Sequence, residues 1–193
     1  MDTQRIKLGL LSSAIGLLLS AQAFAADVVV TDAGKVHFKG NVVDSPCVVS
    51  AGDQGADLTV MLSDVALTQF YGASSSTSAG VAGNHKETFT INMEKCSSAD
   101  VQNITFTFKG TPDTKDPTVL KNTSIATPAA VDVGIAIFDG ATKLSLGTAS
   151  GVLTIPAGET TGHKDFQADY YTTGTGVTKG AVDAVATFDV TFS

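Results

Sequence analysis

The residues able to do chemistry are few and widely spaced. His37, His85 and His163 are scattered through the 193 residues. Three imidazoles so placed cannot supply the ligand set of a copper–zinc centre. His37 lies on the polar side of an alternating segment, and His85 and His163 lie in loop-like contexts, so all three read as surface histidines. No Gly-x-Ser-x-Gly elbow is present, and Ser74, Ser75 and Ser76 fall in a Gly/Ala/Ser/Thr-rich run from Tyr71 to Gly83 that reads as a flexible surface loop. No glycine-rich phosphate loop appears. Asp132, Asp183 and Asp189 alternate with apolar residues, the pattern of solvated strand faces. No catalytic residue, metal ligand or cofactor is expected.

The remaining reactive side chains are Cys47 and Cys96, the only two cysteines. Their meaning depends on compartment, which the N-terminus indicates. Arg5 and Lys7 precede an apolar run from Leu8 to Leu19, which ends in Ala21-Gln22-Ala23-Phe24-Ala25. That is the order of a secretory signal peptide. The run is shorter than the roughly 20 apolar residues that span a bilayer, and no second one follows. Cleavage after Ala25 removes 25 of the 193 residues and leaves 168. It also removes Asp2, Arg5 and Lys7, so the net charge goes from −7 to −8. Export to an oxidising compartment makes a structural disulfide the reading for the pair. Its separation of 49 residues is unlike the Cys-x-x-Cys of redox sites. Closing so long a loop stabilises the fold by roughly 4 kcal/mol in a chain-entropy account.

The elements that hold these residues are strands. Hydrophobic residues make up 43% of the chain, enough for a core, and charged residues only 16%. With 12 basic and 19 acidic residues and no basic run, the footprint of a nucleic-acid binder is lacking. Period-two alternation recurs at Ala56, Leu58, Val60 and Leu62, then at Phe89, Ile91 and Met93. It returns at Ile104, Phe106 and Phe108, and at Val131, Val133, Ile135 and Ile137. Each such row implies one buried and one wet face. Turn signals separate the rows at Ala51-Gly52-Asp53, Lys109-Gly110-Thr111-Pro112-Asp113 and Pro156-Ala157-Gly158. Asp139-Gly140, between Ile137 and Leu144, predicts a hairpin. One short helical turn is allowed between Leu62 and Phe70, and no sustained helical period occurs. The fold class is all-β, an antiparallel sandwich of immunoglobulin-like type, with the disulfide joining early and middle strands.

Two segments fit an ordinary sandwich poorly. From Ala26 to Gly40, Val28, Val30, Gly34, Val36 and Phe38 share one parity, broken by Asp32. Gly34 leaves a gap in that row where another group can approach closely. Periodicity alone also allows this segment to be the first strand of the domain's own sheet. At the other end, Ala184, Ala186, Phe188, Val190 and Phe192 alternate to the last residue but one. Asp183, Asp189 and Thr191 point the other way. A sandwich ending on an apolar strand invites pairing with another chain.

These pieces together resemble the chaperone–usher pilins, close to the major structural subunits of type 1 fimbriae. The resemblance runs through Lys35-Val36-His37-Phe38-Lys39-Gly40-Asn41-Val42-Val43, followed by Cys47, and through Phe89-Thr90-Ile91-Asn92-Met93-Glu94-Lys95-Cys96. It continues in Val133-Gly134-Ile135-Ala136-Ile137-Phe138-Asp139, in Phe166-Gln167-Ala168-Asp169-Tyr170, and in the ending Ala184 to Phe192. The pieces follow one order and cover essentially the whole exported chain. One departure is Phe192, where the family usually has a penultimate Tyr; the ring is kept and the hydroxyl is lost.

The resemblance implies an incomplete immunoglobulin-like sandwich lacking its last strand. It divides the chain into a signal peptide (1–25), a donor-strand extension (26–40) and a pilin domain (41–193). Val28, Val30, Gly34, Val36 and Phe38 would be the donor row. Ala186, Phe188, Val190 and Phe192 would border the acceptor groove and meet the chaperone. The implied partners are neighbouring pilin subunits in a head-to-tail homopolymer, a periplasmic pilus chaperone and an outer-membrane usher. Nucleic acid and permanent membrane insertion are not expected. The implied function is that of a shaft subunit of a surface fimbrium, polymerised by donor-strand exchange and without enzymatic activity. Two alternatives stay open: a minor or adaptor pilin of the same class, and a self-contained periplasmic carbohydrate- or metal-binding sandwich. The absence of Trp counts against sugar binding.

Overall fold

The computed structural model describes residues 46–52, 57–71, 76–97 and 99–193. All of them fall in one compact unit, 43–193. The signal-peptide segment and the proposed donor row, Val28, Val30, Gly34, Val36 and Phe38, lie outside the described residues.

Among the described residues eight strands form in chain order: β1 (Val48–Ala51), β2 (Glu87–Glu94), β3 (Gln102–Gly110), β4 (Val133–Asp139), β5 (Thr142–Lys143), β6 (Leu153–Ile155), β7 (Gly162–Thr172) and β8 (Ala186–Phe192). One short 3-10 turn, Leu67–Phe70, lies inside the stretch where a helical turn is allowed. The strands build two antiparallel sheets, ordered β1-β2-β7-β4-β5 and β6-β3-β8. The fold is thus the all-β sandwich that the alternation predicts.

The core lies between the sheets. Phe89 and Ile91 of β2 face it with Phe166 and Ala168 of β7, and Ile104, Phe106 and Phe108 of β3 close it from the other sheet. Phe166 is the hub, with its ring 5.8, 5.4 and 4.9 Å from the rings of Phe89, Phe106 and Phe108. The Phe89 pair is stacked and the other two are edge-to-face; aromatic pairs of either kind add about 0.5–1.5 kcal/mol each beyond burial. The Lys164 Nζ lies 3.1 Å from Asp139 Oδ1 and 5.6 Å from the centre of the Phe166 ring. The disulfide joins Cys47, just before β1, to Cys96, just after β2, and both cysteines are buried.

Several local expectations are refined. The predicted hairpin forms: Asp139 pairs with Thr142 across Gly140 and Ala141, and Gly140 takes the φ of +60° that the turn needs. β4, however, is buried on both faces rather than one. The chain between β3 and β4 returns over its outer side, where Val119 packs on Ala136 and Phe138 beside Tyr171. Residues 57–66 form no ladder, although Leu58, Val60 and Leu62 remain half-buried between exposed neighbours. Alternation reports burial, and burial needs no hydrogen-bonded neighbour. Of the Gly/Ala/Ser/Thr-rich run, the described part from Ser76 is not a loose loop. Gly80 N–H donates to Thr172 O and Gly83 N–H to Tyr170 O, both at 2.9 Å, extending the edge of β7.

Two polar residues are also corrected. His163 is exposed as expected, but it lies within β7 rather than in a loop. Asp132 is not on a solvated strand face. It precedes β4 in a left-handed conformation, φ +57°, pairs with Lys115 and accepts from Gly176 N–H at 3.0 Å. Short acids tolerate that conformation, and its local hydrogen bonds hold the turn.

Because Phe166 touches three rings and is wholly buried, Phe166→Ala should cost about 3–5 kcal/mol. Urea unfolding of the exported chain, with the disulfide intact in both proteins, measures it.

Candidate functional site

The distinctive feature of the fold is an edge. β8 pairs with β3 in full register, from Ile104 with Phe192 to Gly110 with Ala186. The ladder continues to the end of the chain, where Ser193 N–H donates to Asn103 O at 2.8 Å. Among the described residues β8 has no strand on its other side. Its outward residues, Thr187, Asp189 and Thr191, are exposed, and Asp189 pairs with Lys109 across the strands. Such an exposed pair is worth under about 1 kcal/mol.

The inward row shows what the open edge does. On β3, Ile104, Phe106 and Phe108 are 0%, 0% and 3% exposed. On the next strand, Phe188, Val190 and Phe192 face the same core but are only half-buried, and Ala186 is exposed. One strand spacing separates full burial from partial burial. β8 therefore carries two unmet needs at once: unpaired main-chain groups on one side and an apolar row short of cover. The structure brings these four predicted residues together on one strand, as the sequence implies.

Further residues pack on the same core: Val60 and Leu62, from the 57–66 segment, and Val182 and Ala184, which continue the row beyond β8. At that end lies a pocket of about 240 Å³. Asp64, Val65 and Leu67 line it from one bank and Lys179, Gly180 and Val182 from the other, over Tyr170 and Val177. The parity of Val182 and Ala184, continuous with Phe192, signals their membership in the sequence. The convergence of Val65, Leu67 and Val177 on Phe70 and Val133 carries no such signal, since it joins distant segments. Val60 and Leu62 read as a paired strand, not as a groove wall.

Behind the pocket, one buried carboxylate organises the main chain. Ala82 pairs with Tyr171 and Glu87 with Ala168, so the β2 side bulges between those two pairs. Asn84 takes φ +57° within that bulge. Asp169, fully buried, fills the space below: its Oδ1 accepts from His85 N–H at 3.3 Å, and the N–H groups of Tyr170 and Asn84 turn toward it. Gly83 is needed there because a Cβ would stand 2.8 Å from that same oxygen. Oδ2 has no partner among the described residues. Burial pushes the Asp169 carboxyl above the ordinary carboxylate range, against the pull of those N–H groups. Burial likewise raises the Tyr170 phenol, helped by the charges of Asp64 and Asp169. No group of three His, Cys, Asp or Glu among the described residues is placed to hold a metal. No helix among them is long and apolar enough to cross a membrane.

Among the described residues β1, β5, β6 and β8 end their sheets, and β8, with seven residues, is the longest of these edge strands in an immunoglobulin-like sandwich. Comparison with known proteins places this fold in a family. The family model described as fimbrial protein matches residues 36–193. The type-1 fimbrial protein A chain of Escherichia coli is 35% identical over 180 residues, covering 91% of this chain and 92% of its own length. The fimbrial subunit type 1 of Klebsiella pneumoniae is 35% identical over 189 residues, with the same coverage. Long polar fimbria protein A of Salmonella typhimurium is 32% identical over 177 residues, covering 91% and 90%. Among solved structures, the P pilus rod subunit PapA superposes with a TM-score of 0.58 at 16% identity, covering 77% of this chain and all of that one. A chaperone–usher pilus structure gives 0.57 at 20% identity, covering 87% and 100%. The chain belongs to the fimbrial protein family. It is a structural subunit of a fimbria.

The raised carboxyl sets a pH dependence. Asp169 binds its proton more tightly when folded than when unfolded, so its contribution is fully present below the ordinary carboxylate value. It is lost as pH rises through the raised one. The melting temperature of the parent chain relative to Asp169→Asn should therefore be highest in acid and fall toward neutral pH. Paired melts across that range test it, and a constant difference would show that Asp169 does not titrate in this window.

Proposed function

We propose that the chain is a shaft subunit polymerised by donor-strand exchange. In this reading, segment 26–40 of one subunit lies along β8 of the next, with Val28, Val30, Gly34, Val36 and Phe38 turned into the groove. The observation that carries it is the half-exposed row Phe188, Val190 and Phe192 on a strand unpaired along one side. The row from Val182 to Phe192 spans eleven residues, and so does the donor row from Val28 to Phe38. Burying Val28, Val30, Val36 and Phe38 contributes at most about 6–12 kcal/mol, and a ladder of main-chain hydrogen bonds adds to it. Such a joint dissociates slowly, as a fibre under tension requires. The contact is head-to-tail, so it does not close and propagates as a filament.

The same edge accounts for the transit partners in this reading. A subunit exported by the leader 1–25 reaches the periplasm with β8 uncovered, an aggregation hazard unless another strand covers it. A periplasmic chaperone supplies that strand until an outer-membrane usher passes the subunit into the growing fibre. The subunit's work is then mechanical display on the cell surface.

Complementation in vitro tests the mechanism. Deleting 26–39 should abolish polymerisation, and a synthetic peptide of that stretch should raise the melting temperature of the truncated chain strongly. A truncated chain already as stable without peptide would overturn the reading. Separately, Gly34→Asn should slow or block polymerisation while leaving the disulfide-bonded body folded, measured as loss of polymers that resist detergent without heating.

A further inference from the structure

The ladder between β3 and β8 ends where Gly110 pairs with Ala186. The apolar row does not end there, since Val182 and Ala184 carry it on. Residues 179–185 must therefore find main-chain partners elsewhere.

The stretch 122–131 supplies them. Ala130 N–H donates to Ala181 O at 2.9 Å, Ala181 N–H to Pro128 O at 3.0 Å, and Thr123 N–H to Asp183 O at 2.8 Å. Gly180 lies so close to this stretch that a Cβ there would stand 2.4 Å from the Ala129 carbonyl carbon. Half-buried Asn122 joins the two stretches through its side chain. Its Nδ2 donates to Ala130 O at 2.8 Å and to Ala181 O at 3.0 Å. Its Oδ1 accepts from Ser124 N–H and Asp183 N–H, both at 3.0 Å. Both amide hydrogens and both acceptor positions are thus filled. The order Asn122-Thr123-Ser124 has the form of a glycosylation acceptor, but an amide engaged in this way is not free to take a glycan.

Two of these bonds flank Val182, one to the carbonyl before it and one to the N–H after it. A residue on a parallel neighbouring strand bonds in that same pattern. The side-chain amide stands in for a peptide unit. Ala181 and Asp183 also share the parity of Ser193, which exchanges main-chain bonds with Asn103 of β3. Asn122 thus takes up, before β8 begins, the side of the chain that β3 holds further on.

We propose that Asn122 is a positioning residue for assembly. Its amide prolongs the strand-accepting edge from Ala186 back to Val182 and keeps the pocket end of the groove ordered before a strand arrives. This inference rests on the donor-strand reading. Without the amide, residues 179–185 would be ordered only as the strand binds, and that ordering opposes association.

The test follows the build-up of detergent-resistant polymer by the full exported chain, with each variant's rate divided by the parent's at the same pH. Asn122→Asp keeps the shape and the two accepted bonds, but at neutral pH it sets a carboxylate oxygen against Ala130 O and Ala181 O. It should assemble roughly ten- to thirtyfold more slowly. In acid the substituted carboxyl regains a proton that it can donate to one of those carbonyls. Its relative rate should therefore rise at least about threefold between about pH 7 and about pH 4. Asn122→Ala, which does not titrate, should be slow by a similar factor at every pH. Asn122→Gln keeps an amide and should assemble within about threefold of the parent. Lys121, Asp132, Lys179 and Asp183, the charged residues on and beside the two stretches, are common to every variant, so their titration cancels in the ratio. If deleting 26–39 abolishes assembly while Asn122→Asp runs at the parental rate, the positioning role fails and the donor strand stands. The role fails equally if Asn122→Asp is as flat with pH as Asn122→Ala, or if Asn122→Gln is as slow as Asn122→Ala. The comparison of Gln with Ala decides the matter if Asn122→Asp does not fold. If deleting 26–39 leaves assembly unchanged, the donor-strand reading itself fails.

Discussion

A β-strand with one edge unpaired organises this molecule. β8 satisfies β3 on one side and offers on the other a line of main-chain groups beside half-covered Phe188, Val190 and Phe192. Water can satisfy the main-chain groups but not the apolar row. A second strand satisfies both, which is why sheet edges are the natural place for one chain to capture another. Ordinary domains avoid such an edge with charges, bulges or a covering loop. Here the outward face of β8 carries Asp189 and threonines, yet the inward row stays apolar to Phe192.

The rest of the sandwich makes that edge tolerable. The aromatic cluster around Phe166 and the Cys47–Cys96 bond hold the core away from β8. The outer side of β4 and β7 is sealed by Val119, Phe138 and Tyr171, with the Lys86 and Lys143 ammonium groups each 4.0 Å from a ring centre there. Stability is thus concentrated in one sheet and in β3. The groove is left as the region where cover is still to be gained, and binding there need not rebuild the core.

Period-two alternation by itself determined the all-β class, most strand positions and the row Phe188, Val190 and Phe192, because a strand's two faces are written two residues apart. Two cysteines behind an export signal determined the disulfide, since the pairing has one solution. Other features were decided only by tertiary structure. β4 is buried on both faces because a distant segment folds over it, and Leu58 to Leu62 alternate without pairing because burial and hydrogen bonding are separate conditions. The pocket of Val65, Val177 and Val182 and the buried Asp169 under its bulge each arise where remote stretches meet. A local pattern encodes which way a side chain points; what it meets there depends on segments the pattern does not contain.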